Sequence, residues 1–238
     1  PFNYIRNKYR VIESLQKFFP KRIPTFVDLF CGGCDVCINT KAKTIYANDI
    51  NYHVIEIFQE FQRHDIAYLL AYIHRTITDW NLTKENQAGY EAFRTHYNQT
   101  RNPLDLYVLM CFSFNYQFRF NEAHEYNNPF GRSRSSFNAI MENNLILFRE
   151  RIESIQFSSL DFRNYDYQIL KPGDFLYADP PYLLTCGSYN DAKRGFKGWS
   201  EQDDLDLFEI LTNLSNHGIK FALSNVVEHK GKKHQSLL

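Results

Sequence analysis

Hydrophobic positions along the chain follow two different grammars. Short, nearly unbroken apolar runs stand just ahead of an acid or a turn in "TFVDLF" (25–30), "KTIYANDIN" (43–51) and "DFLYADPPY" (174–182). Runs of this kind, without polar alternation, predict buried strands of a parallel sheet. "IQFSSLDF" (155–162) and "IKFALSN" (219–225) read the same way. Two helices are predicted beside them. One carries Val11, Ile12, Leu15, Phe18 and Phe19 and ends at Pro20. The other is "SEQDDLDLFEILTNLSNHG", with Ser200 and Asp203 as its amino-terminal cap and Gly218 as its stop. A further helix is expected after Asn225. Helix, strand, glycine turn, short helix, strand is the order of a nucleotide-binding α/β half.

The second grammar fills the middle of the chain. "HVIEIFQEFQRHDIAYLLAYIHRTI" (53–77) has apolar residues three and four apart and reads as one helical stretch. "PLDLYVLMCFSF" reads as another, opened by Pro103 in its first turn. Residues 115–138 are rich in Asn, Arg, Phe and Gly without a clear period. The fold class is therefore α/β, with residues 1–55 and 153–238 forming the sheet domain. Residues 56–152 form a mostly helical insertion, because a structureless loop of that length is improbable in a compact domain.

Composition narrows the picture. The chain has 238 residues, 44% of them hydrophobic, enough for one sizeable α/β domain with an insertion. No apolar run reaches the roughly 20 residues of a membrane helix. "PFNYIRNKYR" lacks a signal peptide's apolar core. No membrane association is expected, and the five cysteines are read as reduced thiols of a cytoplasmic protein. The formal net charge is zero, which argues against indiscriminate attraction to nucleic acid. Local basic surface exists nonetheless, from Arg6, Lys8, Arg10, Lys17, Lys21 and Arg22 and from Lys220, Lys230, Lys232 and Lys233. Cys31, Cys34 and Cys37 lack the fourth nearby cysteine of an iron–sulfur run, and no histidines pair at metal-binding spacing. No metal is expected.

The candidate chemistry sits where the predicted strands end. "DLFCGG", Asp28 to Gly33, is a strand-to-helix turn whose glycines allow close backbone approach to a ligand. It carries no Gly-Lys-Ser/Thr, so it is not a phosphate cradle. Asp49, at the end of the next strand, is placed to accept hydrogen bonds from both hydroxyls of a ribose. Ribose without a phosphate cradle suggests an adenosine derivative such as S-adenosylmethionine. Asp161 and Phe162 would suit its adenine, the carboxylate accepting the amino hydrogen and the ring packing on the base.

Asp179-Pro180-Pro181-Tyr182 follows the strand at 175–178. An exocyclic amino group is a poor nucleophile because its lone pair is delocalised into the ring. A carboxylate and a backbone carbonyl accepting its two N–H groups favour a localised lone pair, and a tyrosine offers a face for a flipped base. Cytosine-C5 methylation would need a Pro-Cys pair, which the chain lacks. Enzymes that methylate a protein glutamine typically carry Asn where Asp179 stands.

With these residues in place, the chain resembles the DNA adenine-N6 methyltransferases of the Dam type. "NYIRNK", "FVDLFCGG", "NDIN" and "DPPY" are similar to that family's cofactor, glycine, ribose and catalytic motifs. "FNYQFRFNEAHEYNNPFGR" (114–132) is similar to its DNA-contacting stretch. The resemblance implies a Rossmann-like S-adenosylmethionine-dependent methyltransferase sheet with an inserted target recognition domain. It implies cofactor roles for Tyr4, Lys8, Asp28, Phe30, Gly32, Gly33, Asp49, Ile50, Asp161, Phe162 and Asp179. It implies catalytic roles for Asp179, Pro180, Pro181 and Tyr182, and DNA contacts for Asn115, Arg119, Asn121, Asn128 and Arg132. The implied partner is double-stranded DNA, met by an enzyme acting as a monomer. The implied setting is bacterial or phage DNA modification, with a cognate restriction endonuclease as a possible companion. An RNA adenine methyltransferase and a catalytically impaired DNA-binding relative are the alternatives.

Overall fold

The computed structural model describes residues 11–186 and 198–237, with only the backbone of Thr185 and Cys186. The described chain divides into two compact units. One is His53–Glu153. The other runs through Tyr52 and resumes at Ser154.

The second unit is built on five strands: β1 (Thr25–Asp28), β2 (Thr44–Asn48), β3 (Ile155–Ser158), β4 (Phe175–Ala178) and β5 (Lys220–Leu223). Their order is β3-β2-β1-β4-β5, and every pairing is parallel. This is the Rossmann-like arrangement. Side chains alternate across each strand, so β1 and β4 bury both faces. Val27 and Leu176 enter a core with Leu207, Leu211 and Leu214, whereas the Phe19 ring meets Phe26, Phe175 and Tyr177. Strand order reverses between β1 and β4. The chain leaves β1 toward β2 and leaves β4 toward β5, which makes their carboxyl ends the switch point where sheets of this kind bind ligands.

Helix α1 (Ile12–Gln16) is shorter than its apolar spacing implies, and only Ile12 of it is buried. Phe18, expected on its inner face, is 79% exposed. The helix over Glu201–Asn216, numbered α8 below, carries the expected capping box from Ser200 and Asp203. It closes with Gly218 at φ +79°, whose N–H reaches Ser215 O while that of Ile219 reaches Leu214 O. That pair of bonds is a Schellman stop, and glycine fits because the position is left-handed. The helix expected after Asn225 is absent from the described residues. Glu228–His229 (β6) and Lys232–Lys233 (β7) form an antiparallel hairpin instead. Lys230 and Gly231 both have positive φ, as a two-residue type I′ turn requires.

The helical unit contains α2 (Tyr52–Arg63, beginning at the boundary), α3 (Ile66–Asp79), α4 (Gln87–Thr100), α5 (Pro103–Phe112) and α6 (Ala139–Ile152). The single helix expected over 53–77 is two, because Asp65 caps a new start by accepting Tyr68 N–H at 2.7 Å. α5 is buried from Leu104 to Phe112, which explains its nearly continuous apolar sequence, and its one acid, Asp105, accepts the Tyr72 hydroxyl at 2.7 Å. α4 and α6 escape a hydrophobic reading because each buries only three positions: Tyr90, Phe93 and Tyr97 in one, Leu145, Phe148 and Ile152 in the other. The stretch after α5 is irregular, held by isolated bridges between Ser113 and Phe130 and between Phe120 and Tyr126. Helix α7 (Leu183–Cys186) returns to the sheet unit. No described helix is long and apolar enough to cross a membrane.

Candidate active site

Strand ends position the acids. Past β1, Leu29 N–H bonds Tyr177 O and Cys31 N–H bonds Asn48 O, so the glycine turn is tied to β4 and β2 at once. Gly32 follows at φ +48°, a backbone that favours glycine. Its N–H donates to Asp49 Oδ2 at 2.8 Å, and Asn51 N–H donates to Asp49 Oδ1 at 2.8 Å. The two donors fix the carboxylate's plane, and each oxygen can accept more than one bond. Asn48, just before it, is buried and staples three loops. It donates to Leu29 O and Leu160 O, and accepts from Ser158 Oγ and Leu160 N. Its role is invisible in the sequence, where an Asn before Asp reads only as a strand end.

Asp28 is wholly buried, and the backbone N–H of Cys37 faces its carboxyl group. Burial holds its pKa well above the ordinary range, and the charges of Asp179 and Asp49 push it further up. Asp28 at the end of β1 thus feels the acids that follow both neighbouring strands, β2 and β4. The turn also holds a correction. Cys34 and Cys37, expected as reduced thiols, are joined in a disulfide; Cys31 and Cys111 are free and buried.

On the β3 side, Asp161 accepts the backbone N–H of Arg163 at 2.9 Å and faces its guanidinium at 3.3 Å. The same guanidinium holds Asp203 and Asp206 on α8 and lies 4.4 Å over the Phe162 ring. Phe162 is only 4% exposed, with Phe30 and Trp199 against it. Its ring is closed in by these neighbours, where a face open to an adenine was expected. Phe30 is half-buried, and Ile50 beside Asp49 is exposed. Arg163 and Trp199 were missed in the sequence because neither lies in a strand-end motif.

β4 ends just before Asp179, which puts that acid at the switch point beside β1. Pro180 is buried, and Pro181 and Tyr182 are half-buried. The Tyr182 hydroxyl donates to Asp179 Oδ1 at 2.7 Å, so the ring and the carboxylate are oriented together. The same strand end is braced by Ser224, whose N–H bonds Ala178 O and whose Oγ lies 2.8 Å from the Tyr177 hydroxyl.

The expected DNA contacts lie in the helical unit and fare unevenly. Asn115 is exposed with a left-handed backbone, and Arg119 is half-buried. Asn121 brackets Glu125, donating to its carboxylate and accepting its N–H. Arg132 donates to Gln87 Oε1 at 2.7 Å. Asn128 is a correction. It is 2% exposed and its amide donates to Phe114 O and Gln117 O, so it holds the loop together and has no surface to offer DNA. Tyr4 and Lys8 lie outside the described residues.

A parallel sheet ordered in this way, with a glycine turn and acids at three neighbouring strand tips, defines a Rossmann-like fold of the methyltransferase kind. Residues 4–237 match the D12 class N6 adenine-specific DNA methyltransferase family, and the chain belongs to that family. It is 45% identical over its full length to the type II methyltransferase M.FokI of Planomicrobium okeanokoites and 48% identical to the modification methylase StsI of Streptococcus sanguinis. The chain spans 37% of the length of each. It is 24% identical to a DNA adenine methylase of Escherichia coli, over 92% of this chain and 77% of that one.

Proposed function

We propose that the protein transfers a methyl group from S-adenosylmethionine to N6 of adenine in duplex DNA after flipping the base. The sheet unit would hold cofactor and target base, and the helical unit would recognise the DNA. The observation that carries this reading is the meeting of Asp28, Asp49 and Asp179 at adjacent parallel strand tips, with Tyr182 bonded to the last. The residues present fit the cofactor. Asp49 is fixed by two backbone N–H groups and suits a ribose diol. The turn at Gly32 suits a ligand without phosphates, and Phe30 and Ile50 offer apolar surface to a base.

When bound, S-adenosylmethionine supplies an electrophilic methyl on a sulfonium. The chain's own work is orientation. Asp179 accepts one N–H of the target amino group and the Pro180 carbonyl accepts the other, drawing the nitrogen lone pair out of conjugation. Tyr182, tethered through its hydroxyl, presents its ring to the flipped base. Asn115, Arg119, Asn121 and Arg132 supply polar groups suited to base edges and phosphates. Relatives named as modification methylases favour a DNA-modifying role, and a restriction endonuclease acting on the same site is proposed as its companion.

Incubation with S-adenosylmethionine and unmethylated genomic DNA, followed by sequencing that detects modified adenines, tests this. N6-methyladenine at one short recurrent sequence is expected. Methylation of RNA alone, or cofactor uptake without transfer to any nucleic acid, would overturn it.

A further inference from the structure

One buried polar chain in the sheet unit has no part in the chemistry above. Asp204, in the first turns of α8, is fully buried and uses both carboxylate oxygens. Oδ1 accepts the indole N–H of Trp199 at 2.8 Å, and Oδ2 meets Nε2 of His234 at 2.8 Å. His234 is also buried, and its N–H closes on Val227 O at the base of the β6–β7 hairpin. Trp199 stands edge-on to Phe30 at 5.7 Å and tilted against Phe162 at 5.4 Å.

The energetics give this arrangement a direction. A buried indole N–H needs a partner, and one backbone carbonyl would serve. Here a buried carboxylate and an imidazole thirty positions away are used instead. Taking such groups out of water is costly unless every bond is made. The result is a ring whose plane is locked by a directional bond at one edge while its other surface touches the two phenylalanines of the base pocket.

We propose that Trp199 is a positioning residue of the cofactor's base pocket, held by the Asp204–His234 pair, so that the β6–β7 hairpin sets cofactor affinity from outside every cofactor motif. The inference rests on the function proposed above. Trp199 fixes the Phe30 and Phe162 rings, Asp204 fixes Trp199, and His234 fixes Asp204.

Trp80 and Trp199 are the two tryptophans of the chain, so Trp80→Phe leaves Trp199 as the sole reporter. The Trp80→Phe chain is titrated with S-adenosylhomocysteine, by tryptophan emission and by calorimetry in parallel. A saturable emission change at the calorimetric midpoint is expected. His234→Ala in that background should weaken binding about tenfold, the scale of one charge-assisted hydrogen bond. His234→Gln, which keeps a donor, should recover most of it. Methyl transfer at saturating cofactor should change far less than the KM for the cofactor. Calorimetric binding with silent Trp199 emission, or full affinity in a folded His234→Ala chain, overturns the inference and leaves the proposed function standing. No heat of binding in the unaltered chain overturns both. Should His234→Ala fail to fold, the emission titration of the Trp80→Phe chain alone decides.

Discussion

The two units spend their polar side chains differently. In the sheet unit, Asp49, Asp161 and Asp179 sit at strand ends, each oriented by one or two neighbours close in sequence or space. In the helical unit, the polar side chains of the 115–132 stretch mostly secure their own loop. Asn128 ties Phe114 and Gln117, and Asn121 brackets Glu125. A parallel strand supplies its own backbone bonds and leaves its terminal side chain available. An irregular loop has no ladder, so its buried backbone groups must be met by side chains. The same residue type thus carries different odds of function in the two settings.

The sharpest way to break that contrast is at Asp179. Asp179→Ala should reduce methyl transfer at least about thousandfold, the scale of removing a group aimed at developing charge. Affinity for S-adenosylhomocysteine by calorimetry should stay within a few-fold. Retained turnover would remove the strand-tip acid from the chemistry. In the helical unit the counterpart is Asn128→Ala. It strands two backbone carbonyls in a buried loop and should cost about 2–3 kcal/mol in urea unfolding, while cofactor affinity is untouched. An Asn128→Ala chain of full stability with weakened DNA binding would restore this residue to the interface.

How much of this was legible in the sequence follows from the same contrast. All five strands of the parallel sheet were legible because buried parallel strands are continuous apolar runs that stop at a turn. The capping box of α8 and its Gly218 stop were legible because they are local. The break between α2 and α3 was not, since "RHDIAYLL" keeps helical spacing across a single capping Asp. The hairpin at 228–233 was missed because its strands are two residues each, too short to alternate. At the site, Asp49 and Asp179 are spelled in consecutive residues. The Arg163–Asp203 and Asp204–His234 bonds join segments far apart in sequence, and no local pattern announces them.

Buried titratable groups sharpen the comparison further, because the two units respond to pH in opposite senses. In the helical unit His53 lies flat on the Phe120 ring, and burial, then His124 and Arg101, lower its pKa from 6.5 to about 3. Between those values the unfolded chain takes up a proton that the folded chain refuses. His53 therefore stabilises the fold fully above pH 6.5, and this is lost as pH falls toward 3. The slope is at most about 1.4 kcal/mol per pH unit for one proton. His53→Gln should flatten the acid side of a stability–pH profile measured by urea unfolding from pH 7 to pH 5. An unchanged slope would place the acid sensitivity elsewhere.

Asp28 gives the smallest effect and the opposite sign. Its folded pKa is raised, chiefly by burial and then by Asp179 and Asp49, from an ordinary 3.8. Above that value the unfolded chain has released its proton while the folded chain still holds one. Stability therefore falls as pH rises toward the folded pKa. Asp28→Asn keeps the shape and an acceptor for the Cys37 N–H while removing the titration. It should raise the unfolding midpoint at neutral pH by about 2–4 °C, if the relief is of the order of 1 kcal/mol. The gain should shrink as the pH is lowered toward 4, where the carboxyl is neutral in both states. A gain that is equal at both pH values would mean that packing and not charge penalises Asp28. A loss at neutral pH would mean that its carboxylate is ionised and bound, and that the sheet unit holds its acids more openly than its burial suggests.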